Sequence, residues 1–139
     1  AYIMQGVMDL GKIRTYHFSV ESDDLSISDD CVFGMITNSK SVGGFMDITG
    51  NRVDMCDVLF EVTLIKMPTN ILELGEIVQY LNRTIDTSDF VYQFKTSHIV
   101  MESQELVKWT RDGEYGGTYK RVEITNLRES FKILVPRDE

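Results

Sequence analysis

The stretch Leu106-Val107-Lys108-Trp109-Thr110-Arg111-Asp112-Gly113-Glu114-Tyr115-Gly116-Gly117-Thr118-Tyr119-Lys120-Arg121-Val122-Glu123-Ile124-Thr125 reads as two strands folded back on each other. Leu106–Arg111 and Thr118–Thr125 are rich in β-branched and aromatic residues. Asp112-Gly113 between them is a hairpin turn, with Gly113 supplying a positive φ. Working outward, the same period-two pattern fills most of the chain. Lys12–Val20 is a strand with Ile13 on one parity and Tyr16 and Phe18 on the other, which calls for a twist or bulge. Asp23-Asp24 is a turn, Leu25–Ile27 a short strand and Ser28-Asp29-Asp30 a second turn. Cys31–Thr37 is a continuous apolar run, expected to be covered on both sides. Val58–Ile65, Phe90–Lys95, His98–Met101 and Ser130–Val135 complete the strands.

One helix interrupts them. Asn70 is a good N-cap and Glu73, three residues later, has capping-box spacing. Ile71, Leu74, Ile77, Val78 and Leu81 then share one helical face. Pro68 stands just ahead of the helix, where it costs nothing. Such a helix serves to cover the open end or edge of a sheet. The expected class is therefore mainly β: a β-sandwich or partly open barrel of short, largely antiparallel strands with one capping helix over residues 70–82. Residues 1–139 are expected to form a single domain, and no strand-helix-strand alternation offers a place for a nucleotide.

Composition narrows the function. Hydrophobic residues at 42% and charged residues at 26% are globular values. Against 14 Lys and Arg stand 22 Asp and Glu, a net charge of −8. That average field repels a phosphate backbone, so nucleic acid is not an expected partner. It also argues against simple electrostatic docking on anionic lipid, so a lipid would be gripped by an apolar cleft. Cys31 and Cys56 are too few for a disulfide scaffold and are expected to be reduced, with Cys31 a buried small hydrophobe. No run approaches the ~20 apolar residues of a membrane span. The first residues carry no charged head followed by an apolar run, so no signal peptide is expected.

Three glycines around Asp112-Gly113-Glu114-Tyr115-Gly116-Gly117 are more than a simple hairpin needs. In an extended segment Asp112 and Glu114, two residues apart, project from one face. Two same-side carboxylates suit a divided role, one polarised by Mg²⁺ or its water and the other a general base. His17 and His98 lack Cys or acidic partners at metal-ligand spacing and are read as structural or exposed. Trp109 is read as a core aromatic, with lining of an acyl cleft as its functional alternative.

This hexapeptide resembles the C-terminal catalytic motif of bacterial diacylglycerol kinase-like lipid kinases. Asn38-Ser39-Lys40-Ser41-Val42-Gly43-Gly44-Phe45 resembles the family's Asn-x-x-x-x-Gly-Gly-Phe-type turn. Asp57-Val58-Leu59-Phe60-Glu61-Val62 is similar to its Asp-Asp-Gly-aromatic strand start, and Ile133-Leu134-Val135-Pro136 to its Ile-x-Val-Pro ending. Order and spacing match over nearly the whole chain, from around Tyr2. The resemblance implies the lipid-side β domain of a two-domain kinase, phosphorylating a lipid hydroxyl, with diacylglycerol the first candidate. ATP, the co-substrate, would be held by a Gly-rich loop in an N-terminal α/β domain that this sequence does not contain, so the isolated chain is expected to be inactive. The resemblance makes Glu114 the base and Asp112 the aspartate that organises Mg²⁺ and its waters. It also implies a structural Mg²⁺ held by Asp57 with backbone oxygens of Asp54 and Leu59. Here the sequence departs from the family, with Cys56 in place of an acidic residue and Val58 in place of glycine. A thiol is a poor neighbour for a hard cation, and valine resists unusual backbone angles.

The partners implied are a lipid substrate, the ATP-binding domain, and peripheral contact with the inner face of the membrane from the cytoplasm. A strand edge left open by the missing domain would invite a homodimer. The competing readings are a non-catalytic β-sandwich binding module with Asp112-Gly113 as a plain hairpin, an inactive homologue, or a related kinase acting on a sphingoid base, phosphatidylglycerol or NAD.

Overall fold

The computed structural model describes residues 13–38, 41–42, 45–46 and 59–127. In chain order these form β1 (Tyr16–Ser22), β2 (Ser26–Thr37), β3 (Ser41–Val42), β4 (Phe45–Met46), β5 (Phe60–Lys66), α1 (Ile71–Leu81), β6 (Val91–Thr96), β7 (His98–Arg111) and β8 (Glu114–Thr125). Six strands make one antiparallel sheet in the order β6-β5-β2-β1-β7-β8, and β3 pairs with β4 in a small ribbon. Among the described residues the fold is mainly β with one helix, as expected, and the six-stranded sheet is open rather than closed into a barrel. The expected strand Ser130–Val135 lies outside the described residues.

Alternation builds the core. Val20 pairs with Ile27 on one side and Met101 on the other. Val62 pairs with Ile36 and Phe94, and Leu64 with Gly34 and Tyr92. Directly paired residues share a face, so Phe18, Val20, Ile27, Phe60, Val62, Leu64, Ile99 and Met101 fuse into one buried cluster. Leu64 is sealed completely, and a Cβ on Gly34 would come within 3.1 Å of its Cδ2.

Two expectations about β2 are corrected. Ser28-Asp29-Asp30 is not a turn but strand, because each polar side chain finds a partner across the sheet. His17 Nδ1 lies 2.7 Å from Asp30, His17 Nε2 lies 3.0 Å from Ser28 Oγ, and Asp29 accepts from Tyr92. Cys31–Thr37 is not covered on both sides. A register shift between Cys31 and Phe33 reverses the alternation and turns Phe33 into solvent. The doubly covered strand is β5, where Glu61 and Thr63 are buried as fully as Phe60, Val62 and Leu64. Likewise His98–Met101 and Leu106–Arg111 are one strand, with its irregularity between Glu102 and Val107.

The helix starts where expected. Asn70 Oδ1 accepts from the amides of Leu72 and Glu73, while Glu73 reaches back to the amide and hydroxyl of Thr69. It stops in a Schellman turn with Arg83 at φ 57: the Thr84 amide donates to Gln79 O and the Arg83 amide to Tyr80 O. Of the expected apolar face only Ile77 is buried, whereas Ile71, Val78 and Leu81 are exposed. Polar bonds do the anchoring, from Tyr80 to Gln93 and from Ser88 and the Asp89 amide to Glu76.

Two aspartates tie strands together. Asp23, in the β1–β2 turn, accepts from Thr96 and from the amide and hydroxyl of Ser97 in the β6–β7 turn, and these bonds lower its pKa. Asp29 sits on the core face, 3.1 Å from Lys66 Nζ and 2.8 Å from Tyr92 Oη, with the Lys66 ammonium also over the Tyr92 ring. Desolvation pushes the Asp29 carboxyl up, but hydrogen bonds from Tyr92, Lys66 and the Asp30 amide outweigh it and hold it below its ordinary 3.8. Lys66 is raised above its ordinary 10.5, first by its hydrogen bond with Tyr92.

Both ends of this network set a pH window. The depressed Asp29 contributes stability that is complete above 3.8 and is lost as the pH falls below it. The raised Lys66 contributes stability that is complete below 10.5 and is lost as the pH rises above it. Asp29→Asn therefore lowers the urea midpoint at neutral pH, and its difference from wild type shrinks as the pH drops below 3.8. Leu64→Ala, which empties the sealed position beside Gly34, costs about 3 kcal/mol at unchanged denaturant slope.

Candidate active site

The β7–β8 hairpin closes on Arg111 opposite Glu114, leaving Asp112 and Gly113 as a two-residue loop. Their φ values are 50° and 85°, positive at both central positions as a type I′ turn demands. Asp112 is therefore in the left-handed region, not in an extended segment, and the alternation argument does not govern its direction. Glu114 is the first residue of β8. Both carboxylates are exposed and neither makes a hydrogen bond or ion pair among the described residues.

The other two glycines have separate reasons. Register slips between Trp109–Gly117 and Thr110–Tyr115, so Gly116 is the extra residue of a bulge. A Cβ there would press to 3.2 Å from Arg111 Cβ. Gly117 has φ 114°, and the Tyr119 ring lies where its Cβ would be. Tyr115 Oη and Thr118 Oγ1 are 2.6 Å apart across the same bulge. Trp109, opposite Gly117, packs against the core as expected, and its buried Nε1 has no hydrogen-bond partner among the described residues.

Of the second expected site only Leu59 is described, half-buried just ahead of β5; Asp54 and Asp57 lie outside the described residues, as do Cys56 and Val58. Among the described residues no group of three His, Cys, Asp or Glu side chains converges as a metal site. Asp112 and Glu114 do offer what a hydrated Mg²⁺ accepts: hard carboxylate oxygens, exposed and uncommitted, with room for water ligands.

The structure also assembles residues that spacing did not reveal. His17 bridges Ser28 and Asp30 in a serine–histidine–aspartate line, and His98 meets Glu123 at 2.8 Å, with Arg121 bridging Glu123 and Glu102. Both groups lie on solvated strand surface, where water screens the charge that a catalytic step would develop. They act as cross-strand ties. Hydrogen bonds from His98 and then Arg121 lower the pKa of Glu123. Cys31 is buried; desolvation and then Asp29 and Asp30 push its thiol up to about 11, so it stays neutral.

No family model matches the chain. It is 23% identical, over 140 aligned positions covering the whole chain, to the C-terminal part of a diacylglycerol kinase from Bacillus subtilis (strain 168). The chain spans 45% of that relative's length. Two solved structures from Bacillus anthracis str. Sterne, assigned as diacylglycerol kinases, superpose with a TM-score of 0.67 over 92% of this chain, at 19% and 17% identity, and span 45% and 43% of those proteins. A third from the same organism superposes with a TM-score of 0.51 over 73% of this chain at 20% identity. The chain is similar in sequence to the C-terminal half of diacylglycerol kinase and shares the fold of those structures.

Gly117→Ala places a side chain at φ 114°, and the backbone strain costs about 1–3 kcal/mol. Because the Tyr119 ring can swing into solvent, adding Tyr119→Ala is expected not to restore the melting temperature. Recovery in the double variant would assign the cost to the ring instead.

Proposed function

We propose that this chain is the lipid-side half of an ATP- and Mg²⁺-dependent kinase that phosphorylates a lipid hydroxyl, with diacylglycerol converted to phosphatidic acid. The observation that carries the reading is the free Asp112-Gly113-Glu114 tip on a chain similar throughout to diacylglycerol kinase. Transfer of a γ-phosphoryl group needs positioning and charge neutralisation more than covalent chemistry from the protein. Glu114 accepts the proton of the lipid hydroxyl as its oxygen bonds to the γ-phosphorus and the bond to ADP breaks. The proton then passes from Glu114 to water. Asp112 would hold Mg²⁺ through an oxygen or a bound water, and the cation would neutralise phosphate charge. The tight turn fixes the backbone from which the two carboxylates project, which limits the positions they can take before substrate arrives.

ATP would be bound mainly by a further α/β domain, which makes activity a property of the longer protein. The acceptor depends on the shape of the lipid cleft, which the hairpin does not set.

Glu114→Gln keeps size and exposure but removes the base. In the protein joined to its ATP-binding part it is expected to lower kcat by roughly 10²–10⁴-fold with an unchanged melting curve. Near-normal turnover would remove Glu114 from this role.

A further inference from the structure

We infer that the distal β7–β8 hairpin seats this chain on an anionic lipid surface, with Lys108, Arg111 and Lys120 supplying the attraction and Leu106, Tyr115 and Tyr119 the interfacial contacts. Three observations converge on it. The first is where the cations lie. Arg14, Lys66, Lys95 and Arg121 each face a carboxylate, Glu105, Asp29, Glu61 and Glu102 respectively. Lys108, Arg111 and Lys120 are exposed and face none among the described residues, and all three are on this hairpin. The second is the local balance. Between Leu106 and Arg121 there are four cations and two carboxylates, a net of +2, which leaves −10 for the rest of a chain that totals −8. The strong negative charge that argued against an anionic surface is thus an average, and this hairpin is a stretch of opposite sign.

The third observation is apolar. Tyr115 is 73% exposed, Leu106 56% and Tyr119 50%, all on the same arms as the unpaired cations. Tyrosine combines an apolar ring with a polar tip and favours the headgroup level of a bilayer, and lysine reaches past it to lipid phosphate. Thr110 pairs with Tyr115 and Lys108 with Thr118, which puts Lys108, Tyr115 and Thr118 on one face. The hydrogen bond between Tyr115 and Thr118 fixes that ring in place.

The purpose of the contact, though not the contact itself, rests on the lipid-kinase reading: docking by this hairpin would carry Glu114 to the depth of a lipid hydroxyl.

The test is sedimentation of the longest available form of the protein with phosphatidylglycerol/phosphatidylcholine vesicles and with phosphatidylcholine alone. Wild type is expected to bind the anionic vesicles and to be released by salt. K108Q/K120Q is expected to lose at least tenfold in partition, at about fivefold per cation, while R14Q, with one charge removed elsewhere, stays near wild type and all melting curves coincide. Kinase assays separate this idea from the enzyme reading. K108Q/K120Q should lose activity on diacylglycerol in vesicles and keep it on a dispersed short-chain diacylglycerol. Hairpin-dependent binding without kinase activity on either substrate would sink the enzyme reading and support the docking surface. Failure of wild type to bind, or unchanged binding by K108Q/K120Q, would overturn the docking surface whatever the kinase result. Equal loss in R14Q would overturn it as well.

Discussion

The parity of β7 governs this molecule. Ile99, Met101 and Val107 all belong to the buried cluster, and the interval between Met101 and Val107 keeps them on one face. With those side chains committed to the core, the alternate positions must face outward, and they carry His98, Glu102 and Lys108. β8 has to match this. Val122 lies opposite Met101, yet Tyr119, three residues away, lies opposite Val107. An odd interval can share a face only across a bulge, so the irregularity near Lys120 follows from core burial. The second bulge at Gly116 and the left-handed pair Asp112–Gly113 then close the arms. The position of Glu114 follows from the core through β7, the turn and the bulges.

Charge is distributed with the same economy. Inside the sheet, several charged groups are matched across strands: Asp29 with Lys66 and Tyr92, Glu61 with Lys95, Asp23 with the Thr96–Ser97 turn. Charges at the hairpin tip have no such partners among the described residues. A buried unpaired charge costs several kcal/mol, of order 3–5, but an exposed one costs little and remains available to a ligand. At this hairpin two uncommitted carboxylates, Asp112 and Glu114, therefore stand beside three uncommitted cations. That coincidence links the proposed chemistry to the proposed lipid contact.

Much of the fold was legible because it depends on local rules. The Asp112-Gly113 turn, the Asn70 cap, the extent of α1 and the burial of Cys31 each follow from residue type at one position. What escaped depends on register. Ser28-Asp29-Asp30 looks like a turn until His17, Tyr92 and Lys66 arrive beside it from other strands. The alternation of Cys31–Thr37 is broken by a bulge that no residue type announces. The Schellman turn at Arg83 is hidden because arginine stands where glycine is usual. At the candidate site the residues could be named from a motif, but an extended segment was the wrong geometry for Asp112. The basic character of the hairpin was masked because its cations are spread over two arms and an acidic total hides them.

The account stands on Glu114 belonging to a lipid kinase. The most direct test is to incubate the protein, together with its ATP-binding part, with γ-labelled ATP, Mg²⁺ and diacylglycerol in mixed micelles, and to identify the labelled product. The account predicts labelled phosphatidic acid. Label that stays in ATP or appears only as inorganic phosphate, from a protein that binds ATP and is offered diacylglycerol, sphingoid base and phosphatidylglycerol in turn, would contradict it.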